Sequence, residues 1–408
     1  MILRDVRDIA ARQIVDAIAD ASARWSNADF SPRVRATRDV VERTGYSEPV
    51  VEYALDRLFG ALTADALRAA IGGELGLLDA LDGFVRRAGR PDVFFRGLDE
   101  VTIVSSRTTI GVAIPSLVYA LCAKSNVVVK DRSDRLIAAF AETLAEERPE
   151  LGRALRVEAW ETHDDLHALR RIAASDVVVA FGGAEALRTL RAHVRPDARF
   201  VPFGSRTSVG YVACEALWDE EHARASARDA MRDALLYDGE GCLSLHALFV
   251  ERNGAVSFER FSDFARDALD AAAHEFPAGG EVAPETLAAR NAERFRASQR
   301  GGPALADAGA ALILIDPPLE EAPPLVPRAI ALYSVDAPQQ ALDFIRRHAL
   351  RLEGFAASGE RADVLSAAVA SGAAQVVPLG ALQAPSLSGE HGGVGRILPF
   401  VRAITRTR

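Results

Sequence analysis

One cysteine stands in a sequence context suited to covalent chemistry. Cys242 follows the turn residues Gly239 to Gly241 and leads into an alternating apolar segment, Leu243 to Glu251. Neighbouring glycine keeps a thiol accessible, and a nucleophilic cysteine also needs surroundings that raise its thiolate fraction. A packing cysteine at a strand start explains the spacing equally well. The other cysteines, Cys122 and Cys214, are distant and lack C-x-x-C spacing, so we predict neither a metal site nor a disulfide framework.

Two histidines are further candidates for chemistry. His246 lies four residues beyond Cys242 and, by strand alternation, shares a face with Ser244. It is a candidate general base for the thiol, although a strand histidine bonded to a neighbour is the more frequent case. His391 lies in a glycine-rich loop, Gly389 to Gly393.

The elements that must position these residues are predominantly α/β. The first ninety residues are predicted to be helical, since Val6, Ile9, Ile14 and Ile18 recur at helical spacing. From Val101 onward, short apolar strands alternate with amphipathic helices, which indicates parallel sheets covered on both faces. This layout predicts two α/β lobes with the chemistry in the cleft between them.

Two strand ends are candidates for nucleotide binding. Gly182-Gly183 follows the buried run Asp176 to Phe181, and a glycine turn there lets phosphate approach a helix N-terminus, where free N–H groups favour anions. An ordinary tight turn is the commoner explanation of such a pair. Lys130 ends the run Asn126 to Lys130 and, taken alone, is equally typical of a solvated charge at a strand end.

Several segments together resemble the aldehyde dehydrogenase superfamily. Its catalytic cysteine lies in a Gly-x-Cys turn before a strand ending in Val-Glu, as Cys242 does here. Within it, the chain is similar to the long-chain acyl-CoA reductases typified by the fatty acid reductase of bacterial bioluminescence. That likeness runs from about Gly45 to the end and rests on these segments: Ile110 to Lys130, Val179 to Arg188, Gly372 to Gly380, His391 to Gly393 and Leu398 to Arg402.

The resemblance implies a fold and a set of cofactor contacts. It implies a helical lead-in and a Rossmann-type dinucleotide-binding domain over residues 1–212, a catalytic cysteine domain over 213–385, and a C-terminal segment, 386–408, that returns to the cleft or to an oligomer interface. The residues it assigns to the cofactor are Lys130, Arg132, Ser133, Phe181, Gly182, Gly183, Gly204 and Glu321. Ser133 replaces an acidic residue that NAD-preferring relatives use against the ribose, and Arg132 stands beside it, so we expect NADPH.

Two departures from the superfamily pattern bear on activity. Pro202 stands where hydrolytic relatives have a general-base glutamate; because proline cannot accept a proton, we expect the acyl intermediate to escape hydrolysis. Thr108 or Arg107 stands where an asparagine usually donates to the oxyanion, and Thr108 is the expected replacement. His391 is assigned, by the same resemblance, to the approach of the substrate tunnel.

The expected reaction is NADPH-dependent reduction of an acyl thioester, from coenzyme A or an acyl carrier protein, to an aldehyde through an acyl-Cys242 intermediate. One alternative is an oxidative aldehyde or semialdehyde dehydrogenase, which Pro202 disfavours. Another is a non-catalytic partner that keeps the fold and channels acyl groups, which the missing asparagine motivates. The resemblance also implies a homo-oligomer, and an acyl-transferring partner subunit is a further expectation.

Composition and charge argue against a nucleic-acid-binding, secreted or membrane-spanning protein. The chain has 408 residues, 49% of them hydrophobic, and can bury a sizeable core. Its net charge of -9 would repel a phosphodiester backbone, so nucleic acid is not an expected partner. The charged N-terminal region lacks the apolar core of a signal peptide, and no segment has the apolar length of a membrane span, so we expect a cytoplasmic protein.

Overall fold

A computed structural model describes residues 5–106, 109–131, 135–160, 166–280, 283–299, 305–308, 311–384 and 386–407. The chain forms two compact units. The first unit contains Met1–Thr44, Val51–Ser205 and Ser386–Arg408, and the second contains Gly45–Val50 and Arg206–Pro385. Within the described ranges, no helix combines the length and apolar character needed to cross a membrane.

The chain begins with helices and continues as alternating strands and helices. The helices up to residue 205 are α1 (Ala11–Trp25), α2 (Ser31–Thr44), α3 (Glu48–Ala61), α4 (Ala64–Leu75), α5 (Ile114–Cys122), α6 (Leu136–Glu147), α7 (Pro149–Ala154), α8 (Leu166–Ala174) and α9 (Ala184–His193). The strands are β1 (Val85–Arg87), β2 (Arg90–Gly97), β3 (Glu100–Val104), β4 (Asn126–Lys130), β5 (Leu155–Glu158), β6 (Val177–Phe181) and β7 (Arg199–Phe203). The predicted helical N-terminus is confirmed as far as α4.

The main sheet of the first unit is parallel, in the order β5-β4-β3-β6-β7. Numbered from β3, this is the order 3-2-1-4-5 of a doubly wound sheet, which reverses direction between β3 and β6. All five residues of β6 are buried, which explains its continuous apolar sequence. The long apolar stretch before β4 becomes α5, because Gly111 takes a left-handed φ of 65° and Pro115 fits the first helical turn.

The second unit is built around a larger sheet. Its strands are β8 (Thr207–Val212), β9 (Leu245–Glu251), β10 (Leu305–Ala308), β11 (Ala311–Ile315), β12 (Ala329–Val335), β13 (Leu352–Ser358) and β14 (Gln375–Pro378). Its helices are α10 (Glu220–Leu235), α11 (Phe258–Glu275), α12 (Pro284–Gln299), α13 (Pro338–Arg347) and α14 (Ala362–Ala370). The order is β10-β11-β12-β9-β8-β13-β14, and every pairing except β10 with β11 is parallel.

A small antiparallel sheet completes the first unit. It contains β1, β2 and the C-terminal strand β15 (Val401–Arg406), with Val401 opposite Gly97. The expectation that the first ninety residues are helical is therefore wrong from Val85 onward. Short strands rich in arginine show too little alternation of apolar and polar residues to be distinguished from a loop in the sequence.

The contacts place the division of the chain earlier than residue 212. Strand β8 pairs with β9 and β13, so it belongs to the second unit, which resumes at Arg206. The segment from Ser386 onward returns to the first unit, where Arg199 donates to the carbonyls of Leu398 and Val401. The functional names given to the predicted domains stay predictions.

Candidate active site

Cys242 lies at the amino-terminal edge of the parallel sheet in the second unit. Helix α10 ends at Leu235, a turn follows, and β9 begins at Leu245. Because neighbouring parallel strands start at the same edge, Arg206 before β8 and Glu353 at the start of β13 lie at this edge too. The predicted nucleophile thus has one cationic and one anionic residue on neighbouring strands.

The main chain of Cys242 is anchored to those strands. Its carbonyl oxygen accepts a hydrogen bond of 3.0 Å from the buried Ser208 hydroxyl, which in turn accepts one of 3.0 Å from the Gly354 N–H. A Cβ on Gly354 would come within 2.4 Å of Leu382 and 3.0 Å of the Ser208 hydroxyl, so this close approach requires glycine. The cysteine is therefore held in place by its backbone.

Cys242 is a partly buried residue. Burial raises the pKa of the thiol to about 12; the negative charge of Glu353 adds to this, and the Arg206 guanidinium opposes it. Arg206 Nη1 lies 3.1 Å from Glu353 Oε2, and Glu353 is only 5% exposed. The thiol is protonated at neutral pH, so nucleophilic attack needs a group that takes its proton.

The turn before Cys242 has an unusual backbone. Tyr237, Asp238 and Gly239 all adopt left-handed φ values, 55°, 52° and 70°. Arg328, which precedes β12, fixes this turn twice: its Nη1 donates to the Asp238 carboxylate at 2.6 Å and its N–H donates to the Asp238 carbonyl at 2.7 Å. Arg328 is itself left-handed and only 1% exposed. Its contacts offset the strain of this turn.

A second network holds the residues that follow Cys242. Gln383 Nε2 donates to the Ser244 hydroxyl at 3.1 Å and to the Asp233 carbonyl at 3.2 Å. The Asp233 carboxylate accepts the Gly380 N–H at 2.7 Å. Asp233 lies on α10, so this network ties the helix before the turn to the start of β9. Burial raises the pKa of Asp233 to about 7, although backbone hydrogen bonds oppose the shift.

The raised pKa of Asp233 predicts how pH affects stability. The folded chain holds a proton on Asp233 that the unfolded chain has already lost above about pH 4, so this residue's contribution to the free energy of unfolding falls as pH rises to about 7. Asp233→Asn is expected to remove that contribution. Urea unfolding of both proteins from pH 4 to pH 8 should show the difference between them changing over this interval. Parallel curves would contradict the assignment.

The other predicted residues of this unit have different settings. His246 is a buried residue of β9; burial lowers its pKa, against opposing hydrogen bonds with the backbone of Ala329, Pro324 and Gly239. This shift favours the neutral imidazole, and the role of His246 as a base stays a prediction. Glu321 lies exposed in the loop between β11 and β12, where its N–H donates to the Pro318 carbonyl.

A cysteine and two glutamates at the opposite, carboxyl-terminal edge of this sheet resemble a metal site. Potential ligand atoms of Cys214, Glu215 and Glu251 lie within 4.8 Å of one another. Arg361 already occupies their centre: Nη1 lies 2.9 Å from Glu251 Oε2 and 3.3 Å from the Cys214 sulfur. Burial would raise the pKa of Glu251, but hydrogen bonds from Arg361, Tyr211 and Cys214 lower it to about 2. We interpret this group as a structural ion-pair cluster.

The cofactor residues predicted in the first unit share one sheet edge. Lys130 ends β4, Phe181 ends β6 and precedes Gly182-Gly183, and Gly204 follows β7. These are carboxyl ends of parallel strands, the edge at which doubly wound sheets bind ligands. Lys130 is buried, and its Nζ lies 5.9 Å from the Trp160 ring centroid. Arg107, Thr108, Arg132 and Ser133, which were also predicted, lie outside the described residues.

His391 is also located at this edge. Its ring stacks on Phe203 at 4.0 Å between centroids, and Phe203 stacks on Phe181 at 4.8 Å. His391 and Val394 exchange backbone hydrogen bonds, which close the glycine-rich loop into a tight turn. A small pocket is lined by this loop together with β6, β7 and α5, and its walls include His391, Phe203 and Tyr119.

Sequence patterns left several residues of the cysteine site unassigned. No role is predicted from the sequence for Glu353, Ser208, Arg206, Asp238 or Arg328. The available signal was a charge inside an otherwise apolar strand, since Leu352–Ser358 contains a single glutamate. An ionisable residue in a buried strand needs a partner and often marks a functional site.

Solved structures define the class of this architecture. The chain superposes on an NAD-dependent benzaldehyde dehydrogenase from Corynebacterium glutamicum with a TM-score of 0.69 and 13% identity, covering 98% of this chain and 86% of that one. An NADP-dependent glyceraldehyde-3-phosphate dehydrogenase from Bacillus halodurans C-125 gives a TM-score of 0.66 and 13% identity, with coverage of 99% and 87%. The fold is that of the aldehyde dehydrogenases, as predicted.

Sequence comparison narrows this class to one family. Residues 6–403 match the family described as acyl-CoA reductase (LuxC), and the chain belongs to it. Among curated relatives, a long-chain acyl-protein thioester reductase from Photobacterium phosphoreum is 22% identical over 58% of this chain and 49% of its own length. One from Photorhabdus laumondii subsp. laumondii is 23% identical over 65% and 54%. The matched chain spans about half the length of these relatives.

Proposed function

We propose that this protein reduces an acyl thioester to an aldehyde through a thioester on Cys242. The observation that carries the proposal is the setting of Cys242: a partly buried cysteine at the sheet edge, held by its backbone and close to a charge pair. Membership of the acyl-CoA reductase family and relatives named as acyl-protein thioester reductases support it.

The first half-reaction needs only this chain and the thioester. The Cys242 thiol loses its proton, the sulfur attacks the carbonyl carbon, and the carrier thiol leaves. The Cys242 N–H is the proposed oxyanion donor, with Thr108 as the second. A carrier thiolate is a good leaving group, so little acid assistance is needed. Pro202, in β7, offers no proton acceptor for an attacking water.

The second half-reaction needs a nicotinamide, which we propose is NADPH. Bound NADPH would supply the hydride that reduces the acyl group. The edge residues of the first unit fit a dinucleotide: α9 begins after Gly183 without a side-chain cap, which leaves its first N–H groups for phosphate. A Cβ on Gly183 would meet no atom of the described residues within 4 Å, which suits a close approach of phosphate. Lys130 is the proposed contact of the adenosine ribose.

The carrier and the assembly are further parts of the proposal. Coenzyme A and an acyl carrier protein present the same thioester, and the chemistry at Cys242 is the same for both. A homo-oligomer and an acyl-transferring partner subunit follow from the family resemblance. We keep Glu321 and His391 as proposed contacts of the nicotinamide ribose and the substrate.

Intact mass spectrometry after incubation with an acyl-CoA, without cofactor, tests the proposal. We expect a mass increase of one acyl group per chain, mapped to the Cys242 peptide. Adding NADPH should then discharge that group as aldehyde faster than NADH does. An unmodified chain, or an acyl group mapped elsewhere, would contradict the proposed nucleophile; faster discharge by NADH would contradict the proposed cofactor alone.

A further inference from the structure

We infer that Glu353 is the proton acceptor for the Cys242 thiol and that Arg206 orients its carboxylate. The inference rests on the proposed function of Cys242 and adds a catalytic residue to it. The need for such a residue follows from the site, where the thiol is protonated at neutral pH. Pro202 cannot supply the missing base.

The backbone links Glu353 to Cys242 through one side chain. Gly354, the residue after Glu353, donates to the Ser208 hydroxyl, and that hydroxyl donates to the Cys242 carbonyl, each at 3.0 Å. A Cβ on Gly354 would lie 3.5 Å from the Leu243 side chain, so the start of β13 packs directly against the residue after the cysteine. The main chain next to Glu353 is therefore fixed relative to the turn.

The charges at this edge suit a proton acceptor. Glu353 is almost fully buried, and its ion pair with Arg206 at 3.1 Å favours the ionised, proton-accepting form of the carboxylate. Glu353 and Arg206 are the charged side chains whose fields act most on the thiol: the carboxylate favours the protonated sulfur, and the guanidinium favours the thiolate. When the proton moves from the sulfur to Glu353, the negative charge passes from the carboxylate to the sulfur. The net charge of the site is therefore unchanged.

The proposed step balances without another reagent. The thiol S–H bond breaks as a Glu353 oxygen takes the proton, and the sulfur forms a bond to the thioester carbonyl carbon. The bond from that carbon to the carrier sulfur then breaks. The departing carrier thiolate takes the proton from Glu353, which returns the carboxylate to its starting form.

Single-turnover acylation by acyl-CoA, without cofactor and over a range of pH, tests the inference. With Glu353 present, the rate should be nearly constant across neutral pH, because the proton moves within the pair. In Glu353→Gln, hydroxide must remove the proton, so the rate should rise about tenfold per pH unit and be roughly 100-fold lower near pH 6.

Matched variants separate this role from a structural one. Glu353→Asp keeps a carboxylate and should restore the flat profile in part, and Glu360→Gln, an exposed glutamate just beyond β13, should match the unmodified protein. If Glu353→Gln does not fold, Glu353→Gln with Arg206→Met avoids an unpaired charge and should show the same hydroxide dependence. Parallel pH profiles for Glu353→Gln and the parent would overturn the inference. A parent protein that is never acylated would instead contradict the proposed function.

Discussion

Replacing Cys242 with alanine is expected to lower thioester-dependent NADPH oxidation by roughly 10⁴- to 10⁶-fold, because the sulfur that forms the covalent bond is lost. The fold should be retained, since the Ser208 hydroxyl binds the carbonyl of residue 242 and the side chain is only partly buried. Aldehyde formation and NADPH oxidation, measured at saturating acyl-CoA, check the rate. Thermal unfolding checks that the variant is native.

Cys214→Ala is the matched control for this experiment. Cys214 belongs to the same unit but lies at the opposite edge of the sheet, beside Arg361. Its sulfur lies 3.3 Å from Arg361 Nη1, inside the ion-pair cluster with Glu251, and takes no part in the proposed chemistry. We expect near-normal turnover from Cys214→Ala. Turnover by Cys242→Ala with loss in Cys214→Ala would reassign the nucleophile.

The part of the fold that sequence could predict is the part determined by local burial. Strands such as β6, whose residues are all buried, appear as apolar runs between helical patterns, and both main sheets were recognisable in this way. Strand β13 was not predicted, although it is equally buried over most of its length. Its single glutamate interrupts the apolar run, and the pairing of that glutamate with Arg206 spans 147 residues of sequence. No local pattern contains such information.

The candidate site divides in the same way. Cys242 and the Gly182-Gly183 turn could be found because glycine beside a chemically active position leaves a local signature. Glu353 and Arg328 could not, because their relation to Cys242 depends on which strands become neighbours in the second sheet. The order β12-β9-β8-β13 places the starts of four strands from distant parts of the chain at one edge. The sequence therefore predicts Cys242 as the nucleophile but does not reveal the groups that we propose for its proton or those that hold its backbone.

The largest effect on stability is expected from Asp238→Asn. Asparagine keeps the size of the side chain and tolerates a left-handed φ, so the substitution removes mainly the charge opposite Arg328. Arg328 is 1% exposed, and its Nε and Nη2 find no hydrogen-bond partner among the residues that the structure describes. A buried guanidinium that loses its counter-ion should lower the free energy of unfolding by about 3–5 kcal/mol, measured by urea unfolding at constant pH.

The double variant Asp238→Asn with Arg328→Met tests whether this loss comes from the uncompensated charge. Removing the guanidinium as well should recover part of the stability, because methionine can be buried without a partner. The turn before Cys242 would still lack the Arg328 side-chain contact, so acylation of Cys242 should remain slow even where stability is recovered. If Asp238→Asn alone is as stable as the parent, the ion pair does not hold the turn. The strained backbone from Tyr237 to Gly239 would then depend on the hydrogen bond between the Arg328 N–H and the Asp238 carbonyl.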